Sequence, residues 1–155
     1  PPHKQGGEVT PAGQRLEMVR SAVLIDPRFE VSTVEIDRPG PSYTLETVRT
    51  FHADLPNSKL FLILGADQVR ALHAWREPER IVEIVKLAVM DRQGNSIIPS
   101  VPAFPGASHA VHVPVTRLDI SSTQIRTMIQ ANDDPRELIP EAVGRIIERE
   151  RLYGP

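Results

Sequence analysis

Three hydroxyls stand in a row at Ser121-Ser122-Thr123, directly after Ile120 and shortly before Arg126. Ile125, Met128 and Ile129 follow at helical spacing, so the hydroxyls fall at a helix start. Backbone N–H groups there lack intrahelical acceptors, and the helix dipole favours negative charge. Arg126 lies one turn on from Ser122 and can reach back over the same end. A row of small donors beside a guanidinium suits a phosphate group. The same residues also read as an ordinary Ser or Thr cap with a surface Arg, and the residues alone leave both readings open.

Other residues offer weaker chemistry. Gly65-Ala66-Asp67 follows an apolar run as a strand-to-helix turn. The Gly permits close approach of a nucleotide and the Asp can accept from ribose hydroxyls. An Asp cap on a Gly turn would look the same. Trp75, the single Trp, sits just past that helix beside Arg76. It can stack on a flat heteroaromatic ring or simply pack half-buried. Lys4, in Pro2-His3-Lys4, puts a cation on a stiff loop where it could meet a phosphate or stay solvated. His109 and His112 do not read as a metal pair, because strand alternation sends them to opposite faces and no partner carboxylates lie near. No G-x-x-x-x-G-K-S/T, G-x-S-x-G or Ser/His/Asp set occurs.

The elements that must position these groups read as follows. Thr10-Pro11 predicts a helix start, Thr as cap and Pro at the first helical position. Leu16, Val19 and Val23 carry that helix to about Ile25, where Asp26-Pro27 stops it. Phe29, Val31 and Thr33, or the shifted set Val34 and Ile36, predict a strand as far as Ile36. Arg38 to Pro41 is a turn, and Thr44 to Ala53 a second helix. The unbroken apolar run to Leu64 predicts a strand buried on both faces, as in a parallel sheet. A helical stretch to about Ala74 and a short helix from Pro78 through Val85 lead to a second buried strand, Leu87 to Met90. Gly94 to Ser108 holds Pro99, Pro102 and Pro105 without periodicity and predicts a long loop. Ala110 to Val115 alternates as a strand. The hydroxyl-headed helix follows, then a last helix from Pro140 with Val143, Ile146 and Ile147 inward. Leu152 and Tyr153 are expected to tuck the tail onto the body.

Strands alternating with helices predict an α/β fold, a mostly parallel sheet flanked by helices, with residues 1–155 as one domain. Ligands in such folds sit at the carboxyl ends of the strands. Gly65-Ala66-Asp67, Asp91-Arg92 and Ser121-Ser122-Thr123 each follow a strand end and are expected to meet at one crevice.

Composition narrows the function classes. Of 155 residues, 18 are Lys or Arg and 20 Asp or Glu, a net charge of -2, so no basic footprint points to nucleic acid. No apolar run reaches the length of a membrane span. The absence of Cys removes disulfides, Cys-ligated zinc, iron–sulfur clusters and thiol catalysis, and is compatible with a cytoplasmic setting.

The ordered set Pro1-Pro2-His3-Lys4, Ser42-Tyr43-Thr44, Gly65-Ala66-Asp67, Ala74-Trp75, Asp91-Arg92, Ile120-Ser121-Ser122-Thr123 through Arg126, and Leu152-Tyr153 resembles the bacterial nicotinate-mononucleotide adenylyltransferases over essentially the whole chain. The Ile-Ser-Ser-Thr-x-Ile-Arg segment resembles the wider nucleotidyltransferase superfamily. The resemblance implies a Rossmann-like fold and adenylyl transfer from ATP to nicotinate mononucleotide, with Mg²⁺ accompanying the ATP. It implies that Ser121, Ser122, Thr123 and Arg126 hold the ATP phosphates, with Lys4 as a second cation near them. It further implies that Gly65, Ala66 and Asp67 meet nucleotide ribose, that Arg92 lies near the adenine and sugar, and that Trp75 stacks on the pyridine. Backbone N–H groups of Thr44 and Arg76 correspond to donors for the nicotinate carboxylate. A homo-oligomer is left open.

The family opens with a strand, a Gly-Gly-Thr-Phe-Asp-Pro-x-His-x-Gly-His loop and a helix ahead of the Pro-Pro-His-Lys point. The expectation is therefore that residues 1–155 belong to a longer protein whose nucleotidyltransferase domain begins upstream. The alternatives are a nicotinamide-mononucleotide or phosphopantetheine adenylyltransferase, or a nucleotide-binding module without catalysis.

Overall fold

A run such as Phe61-Leu62-Ile63-Leu64, bulky at every position, suits extended backbone, whereas Leu45 and Val48 three apart suit a helix face. The computed structural model describes residues 10–91, 110–116 and 118–154, with Asp91 through its backbone only. In chain order its elements are α1 (Ala12–Val23), α2 (Thr44–Asp54), β1 (Phe61–Gly65), α3 (Ala66–Ala71) with a 3-10 turn over Leu72–Ala74, α4 (Pro78–Ile84), β2 (Lys86–Asp91), β3 (Val111–Pro114), α5 (Ser122–Gln130) and α6 (Glu141–Arg149). This is the expected α/β architecture. Among the described residues, two compact units form: one from Asp37 to Leu118, the other from the residues up to Ile36 together with those from Asp119 on.

The first unit holds a parallel sheet in the order β1-β2-β3. Registers run from Phe61↔Lys86 to Gly65↔Met90, and from Ala88↔Val111 to Asp91↔Pro114. Leu64, Leu87 and Val89 share one sheet face and pack on Val69, Leu72 and Val82. On α2, Leu45 and Val48 pack against Ile81 and Val85, and Leu62 and Trp75 touch both clusters. β2 is buried as expected, with Leu87, Ala88 and Val89 nearly inaccessible. β1 corrects the sequence expectation: Leu64 is buried, but Phe61 is 50% and Ile63 62% exposed. The core clusters of this unit gather on the Leu62/Leu64 side, and a continuous apolar run does not by itself distinguish one covered face from two.

The second unit is helical. α1 packs on α6, where Ile146 and Ile147 are buried. Arg149 Nη2 donates to both carboxylate oxygens of Glu17 at 2.8 Å, and Gln14 Nε2 donates to Glu150 at 3.2 Å. Val19, one of the apolar residues whose spacing marked this helix, is 48% exposed. Glu17, which faces α6, sits on the opposite side of the helix from Val19. Thr10 also departs from expectation. α1 begins at Ala12 with Pro11 in the cap position and no side-chain cap, while Thr10 Oγ1 donates to Tyr153 Oη at 2.9 Å. The strand expected over Phe29 to Ile36 does not form. Val34 N–H donates to Ser32 Oγ at 3.3 Å and Ile36 N–H to the Thr33 carbonyl at 2.8 Å, local bonds that compete with a ladder. The tail tucks in as expected: Leu152 N–H donates to the Ile147 carbonyl at 2.9 Å, and Leu152 and Tyr153 are half-buried. The Pro-rich stretch from Gly94 to Ser108 lies outside the described residues.

Candidate functional site

Ser121 is extended (φ -133°, ψ 151°) and caps α5, its Oγ accepting from Gln124 N–H at 3.1 Å. The capping reading is therefore correct, and it is compatible with anion binding. The bond uses an oxygen lone pair and leaves the hydroxyl proton able to donate outward. Ser122 and Thr123 are the first two helical residues, so their N–H groups have no intrahelical acceptor. All three side chains are exposed, as is Arg126, whose Cζ lies 5.2 Å from the centroid of the Tyr153 ring. The second unit thus presents a helix tip of hydroxyls, free-ended N–H groups and a guanidinium held over an aromatic face.

In the first unit, Gly65 ends β1 and pairs with Met90, so Gly65 and Asp91 leave the sheet at the same end. A Cβ on Gly65 would come within 2.8 Å of Asp67 Oδ1. A side chain at this position would push the Asp67 carboxylate away from the strand end. The turn therefore holds an acidic acceptor at the carboxyl edge of the sheet, with glycine leaving room for it.

Trp75 closes the 3-10 turn, its N–H donating to the Leu72 carbonyl at 3.0 Å. Its indole is half-buried against both apolar clusters, so packing fixes it and part of it stays accessible. The next residue, Arg76, places its Cζ 4.6 Å from the centroid of the Tyr43 ring, with Nε 3.7 Å from Glu77 Oε1. Tyr43 is the cap residue of α2 and Thr44 its first helical residue. Thr44, Trp75 and Arg76, distant in sequence, are thereby brought into one neighbourhood.

Glu77 has left-handed backbone (φ 49°) ahead of Pro78, and its carboxylate accepts from Arg80 Nη1 at 2.7 Å. That hydrogen bond holds the Glu77 carboxyl below the usual glutamate range, with smaller help from the charges of Arg80, Arg49 and Arg76. A fixed anion thus anchors the Arg76 loop.

Lys4, Arg92 and His109 lie outside the described residues. Among the described residues no group of three or more His, Cys, Asp or Glu side chains could hold a metal ion, and no helix is long and apolar enough to cross a membrane. A cleft of about 500 Å³ in the second unit, lined by Ile129, Asn132, Arg136, Glu148 and Arg151 among others, contains none of the residues assigned a binding or catalytic role from sequence.

Two contributors carried no binding or catalytic role in the sequence: Tyr43 and Tyr153. They are the only tyrosines in the chain, and each lies under the guanidinium of a candidate site residue. Their membership of short motifs was visible, but pairings across such sequence distances leave no local signal.

Residues 1–128 match the family model described as Cytidylyltransferase-like. The chain is 38% identical over 154 residues to the probable nicotinate-nucleotide adenylyltransferase of Geobacillus thermodenitrificans, spanning 99% of this chain and 68% of that protein. It is 41% identical over 157 residues to the protein of the same description from Thermus thermophilus, spanning 99% and 78%. Among solved structures it is similar to the Plasmodium falciparum nicotinic acid mononucleotide adenylyltransferase complexed with APC, with a TM-score of 0.73 at 19% identity over 94% of this chain and 77% of that one. The complex of that enzyme with NaAD gives a TM-score of 0.72 at 17% identity, over 97% and 78%. At such identities the structural likeness concerns the fold.

Proposed function

The chain belongs to the cytidylyltransferase-like family and, within it, to the nicotinate-nucleotide adenylyltransferases, and on that premise we propose that it joins ATP to nicotinate mononucleotide, giving nicotinate adenine dinucleotide and pyrophosphate. A phosphate oxygen of the mononucleotide attacks the α-phosphorus of ATP. The bond from that phosphorus to the β-bridging oxygen breaks, and pyrophosphate leaves with the electron pair. No covalent enzyme intermediate is required, so the protein's task is to orient two anions and offset charge on the leaving group.

The observation that carries this function is the α5 tip. Ser121, Ser122 and Thr123 offer hydroxyl and N–H donors to the triphosphate, and Arg126 offsets its charge. Lys4 adds a second cation and Arg92 meets the adenosine. Gly65 lets the ribose approach the strand end, where Asp67 accepts from its hydroxyls. Mg²⁺ arriving on the ATP phosphates spreads their charge, and such an ion, dressed by phosphates and water, needs few protein ligands.

Trp75, fixed from behind by the core, offers its accessible part to the pyridine. N–H groups of Thr44 and Arg76 donate to the nicotinate carboxylate. That arrangement selects the acid. An amide turns its own NH₂ towards one donor and leaves it unpaired.

The test is formation of pyrophosphate and of the adenylylated acceptor by the protein given ATP with nicotinate mononucleotide, nicotinamide mononucleotide or phosphopantetheine in parallel, NaAD being the product of the first. The acid is expected to be preferred by about 100-fold or more in kcat/KM, as for a donor site deprived of its acceptor. Equal turnover of acid and amide would remove the carboxylate assignment. ATP binding with no product from any acceptor would identify a nucleotide-binding module without catalysis.

A further inference from the structure

Leu152-Tyr153 has no part in the chemistry above, yet the second unit places the Tyr153 ring directly beneath Arg126. We propose that Tyr153 is a positioning residue for adenylyl transfer: its ring, pinned by Thr10, holds the Arg126 guanidinium in the pose that receives the ATP phosphates. The proposal rests on the phosphate role given to Arg126 in the proposed function.

Several observations place this ring on purpose-built supports. Arg126 Cζ stands 5.2 Å from the ring centroid, within the range where the negative face of an aromatic ring attracts a cation. The far end of the ring is tied down: Thr10 Oγ1 donates to Tyr153 Oη at 2.9 Å, joining residues 143 apart in the sequence. Thr10 would otherwise be the natural cap of α1, and that helix has no side-chain cap. The hydroxyl therefore serves the tyrosine instead of its own helix. Arg151 (φ 50°) is the left-handed residue of an ordinary Schellman cap on α6, its N–H donating to the Glu148 carbonyl, but Tyr153, two residues further on, is left-handed as well (φ 63°), a backbone uncommon for a non-glycine residue. The turn that leads to Tyr153 is fixed from both sides. Leu152 N–H donates to the Ile147 carbonyl, and Arg149 and Glu150 are tied to Glu17 and Gln14 of α1.

The physical consequence concerns orientation. An exposed arginine on a helix surface samples many rotamers, and each must be surrendered when it grips phosphate. A guanidinium already resting on a ring face surrenders fewer. Its N–H groups lie in the guanidinium plane, so a ring beneath leaves the whole rim available to phosphate oxygens.

The experiment is a double-mutant cycle in the intact protein, read as kcat and as KM for ATP and for nicotinate mononucleotide, with Tm as a control. Tyr153→Leu keeps apolar bulk and removes the ring; it is expected to lower kcat/KM for ATP by about 3- to 30-fold, the range of a cation–π contact. KM for nicotinate mononucleotide is expected to stay near the parent value. Tyr153→Phe restores most of the ATP effect, because the ring remains. Thr10→Val gives an intermediate loss by unpinning it. In an Arg126→Ala background, the Tyr153→Leu loss is expected to vanish, since the ring then has nothing to hold. A Tyr153→Leu loss of equal size with and without Arg126 would overturn the proposal and mark the tyrosine as merely structural. So would a parent-like Tyr153→Leu protein alongside a crippled Arg126→Ala protein. If Arg126→Ala itself costs nothing, the phosphate role of Arg126 fails first and the positioning role falls with it.

Discussion

The two tyrosine–arginine stacks solve one problem in two materials. Tyr43 lies under Arg76 at 4.6 Å in a unit whose core is fully apolar: Leu45, Val69 and Leu72 have no accessible surface. Its backbone is relaxed and extended, as a helix cap residue should be. Tyr153 lies under Arg126 at 5.2 Å in a unit where Ile146 and Ile147 supply much of the buried apolar surface. Its backbone is left-handed and its hydroxyl is held by a partner at the other end of the chain. The first stack adjoins the packed core through Trp75, with the Glu77 carboxylate beside Arg76 as a further tie. The second stands on hydrogen bonds and ion pairs. Packing is costly to disturb and insensitive to solvent, whereas exposed polar ties are individually weak and tunable.

That contrast can be broken most severely in the apolar unit. Leu72 is fully buried between α3 and the sheet, and Leu72→Ala is expected to cost about 2–5 kcal/mol, the range for truncating a packed leucine. Urea unfolding should show it as a lower midpoint at unchanged slope. A loss below the cost of an exposed ion pair would mean that the two units do not differ as described.

A smaller effect is expected at the helix tip. Ser121→Ala removes the acceptor for Gln124 N–H and should cost about 0.5–2 kcal/mol, typically near 1. Because the same hydroxyl is assigned to phosphate, the variant should also raise KM for ATP. Ser121→Asn, which keeps a cap acceptor, should recover the stability while leaving the ATP defect in place. Recovery of both would reduce Ser121 to a cap.

The smallest effect is electrostatic. The hydrogen bond from Arg80 holds the Glu77 carboxyl below its ordinary range, so this contribution to stability is present in full above the unfolded-state glutamate pKa. It disappears as the pH falls through the lowered folded-state value. Glu77→Gln should therefore narrow the drop in Tm between neutral and acid solution, by a small amount because the pair is exposed. An identical pH profile in both proteins would show that Glu77 does not anchor the Arg76 loop.

Much of this molecule was legible from local pattern. The runs ending at Leu64 and Met90 and the alternation after Ala110 gave β1, β2 and β3 nearly to the residue, because apolar runs bounded by Gly and polar turns carry a strong signal. Helical spacing likewise located α2, α5 and α6. What failed to show depended on partners. Phe29 to Ile36 has strand composition, but the Ser32 hydroxyl and the Thr33 carbonyl turn the backbone locally, and a strand needs a neighbour to prevail. Thr10 reads as a cap until Tyr153 is seen to claim it. At the site, the donors of α5 were readable because helix-start chemistry is encoded in consecutive residues. The rings that carry Arg76 and Arg126 were not, since each meets its guanidinium only through the fold.

The one-sided cover of β1 has a consequence at the bench. Register sets Ile63, Ala88 and Val111 in one row and brings Val113 beside Met90, yet Ala88 at the centre of that row is nearly inaccessible while Phe61 and Ile63 are more than a third accessible. Phe61 and Ile63 thus form an accessible apolar pair on β1, separated from Val111 and Val113 of β3 by a covered strand, and such a pair is a place where an apolar-surface dye is expected to take hold. The stickiness of the described surface is therefore set by two side chains of one strand rather than by the sheet as a whole.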